Sequence, residues 1–429
     1  MRLILENFRI IDEETDISGT VIVDNGFISE VFPGKSSLEQ EHKAAMIIDG
    51  KALAPSGALP VLMPAFVDLH AHFRDPGFGG NGAAPLAEML ESASMAAVAG
   101  GFGTVVCMAN TKPAIDTLNQ VLNLKNRSGA LGLIDLYPVI SLTKGMEGKE
   151  LSEIVSLQPR PDKPLLLSED GKDVTDDDLF LAAMMEAKRL NIPISCHCDL
   201  GGNENAAVQR AIELGKKALC HIHIAHVSTS EAVRTISLAK AEASAAAPCG
   251  FRLSCEAMPH NLCLTEEDAR KLGEKSWGRV NPPLRPEEDR KALVKAVLGG
   301  TIDIIATDHA PHSAVDKEAG APGFSGFETA FAAVYTVLTR SGFVDLKKLS
   351  SLMSARPALL LGLAEGPEKR GRLLPGYRAD ITIADTEAPW IVDPSIFKTR
   401  GKNSAFAGKE LYGKILITIS RGRVVFISL

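Results

Sequence analysis

The sequence has little of several features that define whole classes of protein. Only 5% of its 429 residues are aromatic, with two tryptophans and four tyrosines, whereas alanine, leucine and glycine are abundant. This composition favours an α/β fold over an all-β sandwich. The seven cysteines are an odd number without a regular spacing. They indicate reduced thiols and a cytoplasmic location, and they argue against a disulfide framework.

Charge and hydropathy exclude two kinds of partner. The formal net charge is −7 and no basic run is present, so nothing favours a nucleic-acid partner. The longest apolar stretch, "ALPVLMPAFV", is short and interrupted by prolines, which argues against a membrane span. The opening "MRLILENFRI" is too short and too charged for a secretory signal. We therefore expect a soluble, cytoplasmic enzyme or scaffold, with a small molecule as the partner if it is an enzyme.

Both ends of the chain are rich in β-branched residues. The first sixty residues contain "RLILENFRII" and "GTVIVDNGFISEVFP", and Asp24-Asn25-Gly26 is a hairpin signal. The last sixty contain "ADITIADTEAPWIV" and "GKILITISRGRVVFISL". This pattern predicts a small β-sandwich domain composed of residues 1–60 and 370–429.

The middle of the chain, 61–369, alternates apolar runs with helical patterns such as "DDDLFLAAMMEAKRL" and "ENAAVQRAIELGKKAL". Eight strands alternating with helices predict an α/β domain of the (β/α)8 TIM-like barrel type. In that fold the functional groups lie at the C-terminal ends of the strands. The eight strand-like runs are 66–72, 103–108, 133–140, 164–168, 193–198, 221–227, 251–257 and 301–307.

The ends of these runs carry an unusual number of histidines and aspartates. His70 and His72 share one face of the first strand, because side chains alternate with a period of two. Imidazoles at that spacing can bind one metal ion, with further ligands from other strands. The other polar residues at strand ends are Asn110, Glu169, Asp170, His197, His226, Asp308, His309 and His312.

Two neighbouring patterns are less informative. His221 and His223 have the opposite strand parity to His226, so we interpret them as packing or hydrogen-bonding residues and His226 as the ligand. Cys196 and Cys198 flank the histidine at position 197 and should face away from it, which leaves a zinc–thiolate site as the minor alternative.

Taken together, the motifs at the strand ends resemble those of the dihydroorotases, specifically the longer bacterial type within the amidohydrolase superfamily. They occur in the order of that family, from the first barrel strand to the last. The segments that carry the resemblance are "VDLHAHFRDPG", "AGGFGTVVCMANTKP", "LSEDGKDVTD", "ISCHCD", "IAHVSTSEAV", "CEAMPHNLCLTEED", "RVNPPLR", "IIATDHAPH" and "PGFSGFETA".

The resemblance implies two zinc ions per subunit and assigns a role to each site residue. Asp308 would be the catalytic residue that transfers the proton, in addition to binding a metal ion. Asp170 would bridge the two ions, and Glu169 would be a neighbour that does not ligate. The implied metal ligands are His70, His72 and Asp308 for one ion and His197, His226 and Asp170 for the other. The implied substrate-binding residues are His72, Arg74, Asn110, Asn281, His312, Pro322 and Gly323.

The reaction implied by this resemblance is the reversible cyclisation of N-carbamoyl-L-aspartate to L-dihydroorotate in pyrimidine (UMP) biosynthesis. The chemistry is consistent with the residue types. Two cations sharing a carboxylate lower the pKa of a water and polarise the amide carbonyl. Asp308 can transfer a proton, and Arg74 offers a planar fork for a carboxylate.

Two alternatives stay open, together with questions of assembly. A hydantoinase or allantoinase would share the barrel and metals, but those enzymes use a lysine bridge where this chain has Asp170. An inactive scaffold subunit of aspartate transcarbamoylase would have lost ligands, whereas this chain retains all six. We expect a homodimer, and association with aspartate transcarbamoylase is a further hypothesis. The glycine-rich segment at 78–85 departs from the family pattern and is interpreted as a surface insertion.

Overall fold

The structure is a computed structural model, and it describes residues 2–35, 45–53, 57–77, 87–245 and 250–428. Its strands are β1 (Arg2–Ile11), β2 (Asp16–Asp24), β3 (Phe27–Pro33), β4 (Ala45–Asp49), β5 (Val61–Pro64), β6 (Phe66–Ala71), β7 (Phe102–Cys107), β8 (Asp135–Pro138), β9 (Leu167–Ser168), β10 (Ile194–Cys196), β11 (His221–Ile224), β12 (Arg252–Ala257), β13 (Ile304–Ile305), β14 (Ile381–Asp385), β15 (Trp390–Ile391), β16 (Glu410–Leu411), β17 (Lys414–Ser420) and β18 (Arg423–Ile427).

The described helices lie mainly between the strands β6 and β14. They are α1 (Gly50–Leu53), α2 (Leu90–Ala99), α3 (Leu118–Leu131), α4 (Asp177–Leu190), α5 (Glu204–Ala218), α6 (Ser230–Ala245), α7 (Pro259–Cys263), α8 (Glu266–Leu272), α9 (Glu287–Gly299), α10 (Ala314–Glu318), α11 (Phe327–Val334), α12 (Leu346–Ser350) and α13 (Arg356–Leu360). Short 3-10 turns occur at Lys144–Met146, Glu153–Val155 and Pro394–Ile396, and π-helical turns at Tyr335–Thr339 and Ser351–Ala355.

Strands from both ends of the chain pair in one sheet, in the region where the sequence predicts a small β-sandwich. The sheet forks at β1, which pairs in parallel with β4 over its first half and with β5 at Arg9 and Ile10. From β5 the sheet continues antiparallel through β14, β17 and β18. On the other side of β1 it continues antiparallel through β2 and β3. The turn between β2 and β3 has positive φ at Asn25 and Gly26, the backbone that the Asn-Gly signal indicates.

This terminal sheet has a hydrophobic core of its own, separate from that of the barrel. Apolar residues of β1, β2, β14 and β17 supply most of it, and the β-branched residues fit the pleated surface. Because β5 belongs to this sheet, the range 61–369 begins with a strand of the terminal region, and the domain boundaries stay predictions. The core residues include Leu5, Ile10, Val21, Ile381 and Ile419.

The middle of the chain has the eight parallel strands of the predicted (β/α)8 fold. They form two parallel sheets, β6-β7-β8 and β9-β10-β11-β12-β13. Parallel bridges join the sheets at both seams, Ile140 with Leu167 and Ala71 with His309. The strands therefore follow one another in chain order around a ring, with their C-terminal ends on one side.

Helix α4 illustrates why these segments are helical. The carboxylate of Asp176 accepts a hydrogen bond from the Leu179 N–H at 3.0 Å and caps the N-terminus. Asn191, in a left-handed conformation, ends the helix. The helix buries one apolar stripe against the barrel, which is the pattern of an amphipathic surface helix. The stripe consists of Phe180, Ala183, Met184, Ala187 and Leu190.

A charged cluster joins the terminal sheet to the N-terminal end of the barrel. Asp135, the first residue of β8, contacts the guanidinium groups of Arg370, Arg378 and Arg421. Burial raises the pKa of Asp135, but the three arginines outweigh this effect and lower it to about 2. The hydroxyl of Thr418 adds a hydrogen bond to the Val98 carbonyl at 2.6 Å. These contacts therefore hold the terminal sheet against this end of the barrel.

Three sequence expectations concern features outside these sheets. None of the helices in the described part of the chain is long and apolar enough to cross a membrane. The described cysteines, Cys107, Cys196, Cys198, Cys220, Cys255 and Cys263, carry free thiols. The glycine-rich segment at 78–85 lies outside the described residues.

Candidate functional site

The first two histidines of the site lie where β6 ends. His70 is the fifth residue of the strand and is fully buried, and His72 follows directly after it. The His72 N–H donates to the His309 carbonyl at 2.8 Å, which keeps the backbone extended beyond the strand. Both rings consequently lie on one face, with centroids 5.5 Å apart. The period of two predicts this arrangement.

Two carboxylates from other strands approach these imidazoles. The Nε2 atom of His70 lies 3.2 Å from Asp170 Oδ1 and 3.7 Å from Asp308 Oδ1. The Nε2 atom of His72 lies 3.1 Å from Asp308 Oδ1 and 3.5 Å from Asp170 Oδ2. Each imidazole therefore faces both carboxylates, although the two aspartates are far apart in the sequence.

The second pair of histidines lies on the other side of Asp170. The Nδ1 atom of His197 is 3.4 Å from Asp170 Oδ1, and the Nε2 atom of His226 is 3.6 Å from the same oxygen. The two ring nitrogens are themselves 2.8 Å apart. One oxygen of Asp170 thus faces His70, His197 and His226 while the other faces His72, a geometry that agrees with the predicted bridge between two ions.

The backbone of the site is strained at three residues. Arg74, His226 and Asp308 have φ values of 56°, 32° and 46°, in the left-handed region that side chains with a Cβ seldom adopt. Such conformations persist where the surrounding structure fixes them, and they concentrate at functional sites. Here they turn an arginine, a histidine and an aspartate towards the same cavity.

The donor set fits divalent cations. Among the described residues, His70 Nε2 and Asp170 Oδ1 are buried without a hydrogen-bond partner. Burial raises the pKa of Asp170 and Asp308, but the surrounding imidazoles outweigh it and lower both values, so both carboxylates stay ionised. Buried anionic oxygens beside imidazole nitrogens are ligands for zinc and similar ions. In two groups of residues, the possible ligand atoms lie within 4.8 Å of one another and could hold an ion. These groups are His70 with Asp170 and His226, and His70 with His72 and Asp308.

A buried glutamate orients His70 from behind. Glu256, on β12, lies 2.8 Å from His70 Nδ1 and 3.2 Å from His223 Nε2. This contact directs the other ring nitrogen of His70 towards the carboxylates, as the outer partners of metal-binding histidines do. Sequence reasoning missed Glu256, although a charged residue inside the apolar run 251–257 was an available signal.

The histidines of β11 hydrogen-bond to Ser254. The Nε2 atom of His221 and the Nδ1 atom of His223 lie 2.9 Å and 2.8 Å from its hydroxyl. The parity comparison with His226 does not hold, because β11 ends at Ile224 and the alternation ends with it. His223 therefore lies in the barrel interior beneath the site, where it contacts Glu256.

Asp68 is a second functional neighbour that sequence reasoning missed. Its carboxylate accepts hydrogen bonds from the Thr307 N–H at 2.9 Å and hydroxyl at 2.6 Å, and from the His70 N–H at 3.3 Å. Burial raises its pKa to about 7. The residue ties β6 to the segment that carries Asp308. Its shared parity with His70 and His72 was the signal in the sequence.

The predicted substrate-binding residues line one cavity above the metal-ligand cluster. The cavity has a volume of about 600 Å³ and also exposes most of the proposed metal ligands, whereas His70 lies beneath them. Arg74 is buried, with Nη2 3.3 Å from His312 Nε2. Burial lowers the pKa of Arg74 to about 10, so the side chain is a cation at neutral pH. The predicted substrate-binding residues in the cavity wall are His72, Arg74, Asn110, Asn281, His312, Pro322 and Gly323.

Two asparagine amides in this wall contact the histidines. Asn110 Oδ1 lies 2.9 Å from His72 Nδ1, and its Nδ2 lies 3.3 Å from Asp170 Oδ2. Asn281 Nδ2 lies 3.5 Å from His197 Nε2. The imidazoles therefore orient both amides, and both amides also face the cavity.

The backbone of Pro322 and Gly323 is already hydrogen-bonded within the protein. The Pro322 carbonyl lies 2.8 Å from His312 Nε2, and the Gly323 N–H donates to the Arg279 carbonyl at 3.0 Å. These residues border the cavity, but their polar groups are occupied by neighbouring segments. Their predicted contact with substrate stays a prediction.

Glu169 and Asp170 face opposite sides although they are adjacent. The Glu169 carboxylate accepts hydrogen bonds from the backbone N–H groups of Leu142 and Thr143 at 2.8 Å and 3.0 Å and contacts the Thr143 hydroxyl. It holds the loop after β8 and does not face the histidines. This geometry agrees with the assignment of Asp170 as the bridging residue, which stays a prediction.

The fold and the site together define a class of protein. The model of the amidohydrolase family matches residues 61–425. The chain belongs to this family, whose members are generally metal-dependent hydrolases.

Its relatives define the class further. The chain is 36% identical to a dihydroorotase from Clostridium botulinum (strain Eklund 17B / Type B), with 99% of this chain and 100% of the relative covered. It is 34% identical to a dihydroorotase from Aquifex aeolicus (strain VF5), with 99% of both covered. Within the amidohydrolases, the chain thus belongs to the dihydroorotase family.

Solved structures support the fold. An L-hydantoinase (dihydropyrimidinase) from Arthrobacter aurescens matches with a TM-score of 0.82 at 24% identity, covering 100% of this chain and 97% of its own. A D-hydantoinase from Thermus sp. matches with a TM-score of 0.82 at 20% identity, covering 99% and 96%. At these identities the likeness concerns the fold alone.

Proposed function

We propose that this chain is a dihydroorotase, a cyclic amide hydrolase that interconverts N-carbamoyl-L-aspartate and L-dihydroorotate in pyrimidine biosynthesis. The observation that carries the proposal is the convergence of four histidines and two aspartates, five of them in the wall of one cavity and His70 beneath it, beside a buried arginine. The full-length relatives named dihydroorotase support the choice of substrate.

His70, His72 and Asp308 would hold one divalent cation, His197 and His226 a second, and Asp170 would bridge them. Such cations supply Lewis acidity that polarises the ring amide and acidifies water. Asp308 would accept the proton of the attacking water and deliver it to the departing ring nitrogen. In the cyclising direction the same carboxyl would transfer the proton the opposite way.

The substrate carboxylate would bind at the end of the cavity formed by Arg74 and His312. The arginine is cationic and offers parallel N–H donors that match a carboxylate. Burial, with the nearby charge of Arg74, lowers the pKa of His312 to about 3, so its imidazole is neutral and does not add to the positive charge. Asn110 and Asn281 would donate further hydrogen bonds to the ring or its opened product.

Two observations weigh against the competing activities. The position facing all four histidines is Asp170, and the nearest lysine in sequence, Lys172, donates to the Met146 carbonyl at 2.8 Å instead. A hydantoinase with a lysine bridge is therefore disfavoured. An inactive scaffold is disfavoured because all six proposed ligands are present and buried together.

The test is a spectrophotometric assay of L-dihydroorotate ring opening on metal-replete protein at mildly alkaline pH, beside Asp308→Ala. We expect turnover in the wild type and its loss in the variant, while metal analysis follows ion content in both. Hydrolysis of hydantoin or allantoin in place of L-dihydroorotate would assign the chain to the ring hydrolases named above. Neither turnover nor bound metal would support the scaffold hypothesis.

The finer assignments belong to the same proposal. We propose zinc as the ion and two ions per subunit, because nitrogen and oxygen ligands and a shared carboxylate suit that arrangement. Metal analysis of the purified protein tests both points. A homodimer, association with aspartate transcarbamoylase and a cytoplasmic location stay predictions.

A further inference from the structure

Lys317 is a fully buried lysine next to the proposed substrate site. It lies on α10, the short helix that follows His312, and its side chain has 0% exposure. In the described part of the chain, no carboxylate forms an ion pair with its ammonium. A buried charge without an opposite charge is costly unless hydrogen bonds compensate, so its partners indicate why it is there.

Those partners are three backbone carbonyls from two segments. The Nζ atom donates to Arg279 at 2.9 Å, to Ala321 at 2.9 Å and to Gly323 at 3.0 Å. All three N–H donors of the ammonium are used. The first carbonyl precedes Asn281 by two residues, and the other two flank Pro322. One side chain thus joins both segments that line this end of the cavity.

Asn403 holds the same loop from the other side. Its Nδ2 donates to the Gly323 carbonyl at 2.9 Å, and its Oδ1 accepts from the His312 N–H at 3.1 Å. The residue is buried, although the sequence places it within the terminal β-rich region. The Gly323 carbonyl therefore receives donors from Lys317 and Asn403 together.

The loop packs closely against Ala310 at Gly323. Gly323 has a φ of 138°, and a Cβ there would lie 2.7 Å from both the Cβ and the carbonyl oxygen of Ala310. The Ala310 N–H donates to the Phe324 carbonyl at 2.7 Å, close to Asp308 in sequence. A shift of Gly323 would consequently displace the contacts of His312.

We infer that Lys317 is a positioning residue for the substrate-carboxylate end of the cavity. Its ammonium, together with the Asn403 amide, fixes the loop 321–323 against Arg279 and so sets the positions of His312 and Asn281. The inference rests on the proposed function, because it assigns these residues to carboxylate binding. Lys317 itself touches neither the cavity nor the proposed metal ligands.

Kinetics of Lys317→Met test the inference. Methionine keeps the length and apolar stem but leaves three carbonyls without a donor, so the loop should relax. We expect the KM for L-dihydroorotate to rise about tenfold, with kcat within about threefold of wild type, because binding and not the proton transfer is affected. A fall in kcat at unchanged KM, or no change in either, would overturn the inference.

A second variant and a coupling measurement guard against a general loss of folding. Asn403→Ala removes the other donor to Gly323 and should also raise KM. Because both residues act on one carbonyl, the double variant should have a KM within about threefold of the larger single effect. Fully multiplicative effects would contradict a shared action on the loop.

Hydrogen–deuterium exchange separates this inference from the proposed function. In Lys317→Met, the amides of 320–324 and 279–281 should exchange faster, while the strand that carries His70 keeps its protection. Unchanged exchange in both segments would refute the positioning role even if the enzyme is active. If wild-type protein opens no L-dihydroorotate, the proposed function fails, and the exchange result still decides whether Lys317 holds the loop.

Lys163→Met is the matched control. Lys163 also donates to backbone carbonyls, those of Leu190 and Asn191 at the C-terminal end of α4, and neither it nor these partners line the cavity. We expect its KM and its exchange at 320–324 to equal those of wild type. A KM increase equal to that of Lys317→Met would mean that any lost lysine–carbonyl contact has this effect, and the inference would be wrong.

Discussion

The two ends of the barrel bury carboxylates in opposite ways. At the N-terminal end, Asp135 contacts three arginines, and its charge is balanced within the chain. At the C-terminal end, Asp170 faces four imidazole nitrogens, yet its Oδ1 has no hydrogen-bond donor among the described residues. Both carboxyl groups stay ionised. The nearby arginines lower the pKa of Asp135, and the nearby imidazoles lower the pKa of Asp170.

This difference separates stability from function. Arginines are permanent cations, so the cluster around Asp135 is complete and joins the terminal sheet to the barrel. Imidazoles are cations only when protonated, so the charge of Asp170 is not permanently balanced within the chain, and a bound divalent cation could take the place of those protons. Barrel enzymes in general place catalysis at the C-terminal ends of the strands, and here the incomplete charge balance lies at that end.

The largest effect is expected at the C-terminal end of the barrel, where Asp170 lies. Asp170→Asn should remove the bridging anion, lower the metal content and reduce kcat by about 10³-fold or more, since bound cations supply several kcal/mol of transition-state stabilisation. Elemental analysis and the ring-opening assay measure both. The metal-free variant should unfold at a temperature no lower than metal-free wild type, because function and not stability retains this carboxylate.

If Asp170→Asn retained both its metal and its activity, the comparison would be wrong. The carboxylate at the C-terminal end would then not be needed to bind a cation. Dialysis of wild-type protein against a chelator gives the complementary control. It should abolish activity, and added divalent cation should restore it.

A smaller effect is expected one layer beneath the ligands. Glu256→Gln keeps the shape of the side chain but removes the anion that orients His70, so metal affinity should fall by roughly 10–100-fold. Titration of the metal-free protein with zinc measures this, and excess metal should recover most activity. Glu169→Gln is the control, because this buried glutamate faces a loop and not a histidine; an equal loss of affinity there would contradict the role of Glu256.

Much of this architecture could be predicted from the sequence, because it is encoded locally. The apolar runs placed all eight barrel strands, and the Asn25-Gly26 signal placed a hairpin. Strand ends were less certain: the runs 164–168 and 301–307 contain strands of only two residues, Leu167–Ser168 and Ile304–Ile305. Pairing with neighbours, and not local composition, determines where a strand ends.

The partners of the site residues could not be predicted, because they come from distant segments. Glu256 lies 186 residues from His70 in the sequence, and neither motif indicates the other. Asn403 lies within the β-rich C-terminal region of the sequence, but in the structure its side chain contacts the backbone of His312. Histidines and aspartates at strand ends are recognisable by residue type, whereas the groups that orient them are recognisable only by contact.

The next effect concerns stability alone. Asp135→Asn should lower the free energy of unfolding by about 3 kcal/mol, because it leaves the buried Arg370 guanidinium without its anion, whereas Arg378 keeps its contact with Asp380. Metal content and kcat of the folded protein should be unchanged. Denaturant unfolding followed by circular dichroism measures the first quantity. Asp162→Asn, which removes an exposed pair with Arg160, is the control and should change stability by less than about 1 kcal/mol.

The smallest effect is the pH dependence of that contribution. The folded-state pKa of Asp135 is lowered to about 2 from an ordinary value of 3.8, so the unfolded chain binds its proton first as pH falls. The stabilisation is therefore complete above about pH 4 and is lost as the pH falls towards 2, an amount of about 2 kcal/mol. The stability difference between wild type and Asp135→Asn, measured on metal-free protein, should narrow across this window. A difference that stays constant from neutral pH to pH 3 would show that the arginines do not hold Asp135 as an anion, and the two ends of the barrel would no longer differ in the way their charges are balanced.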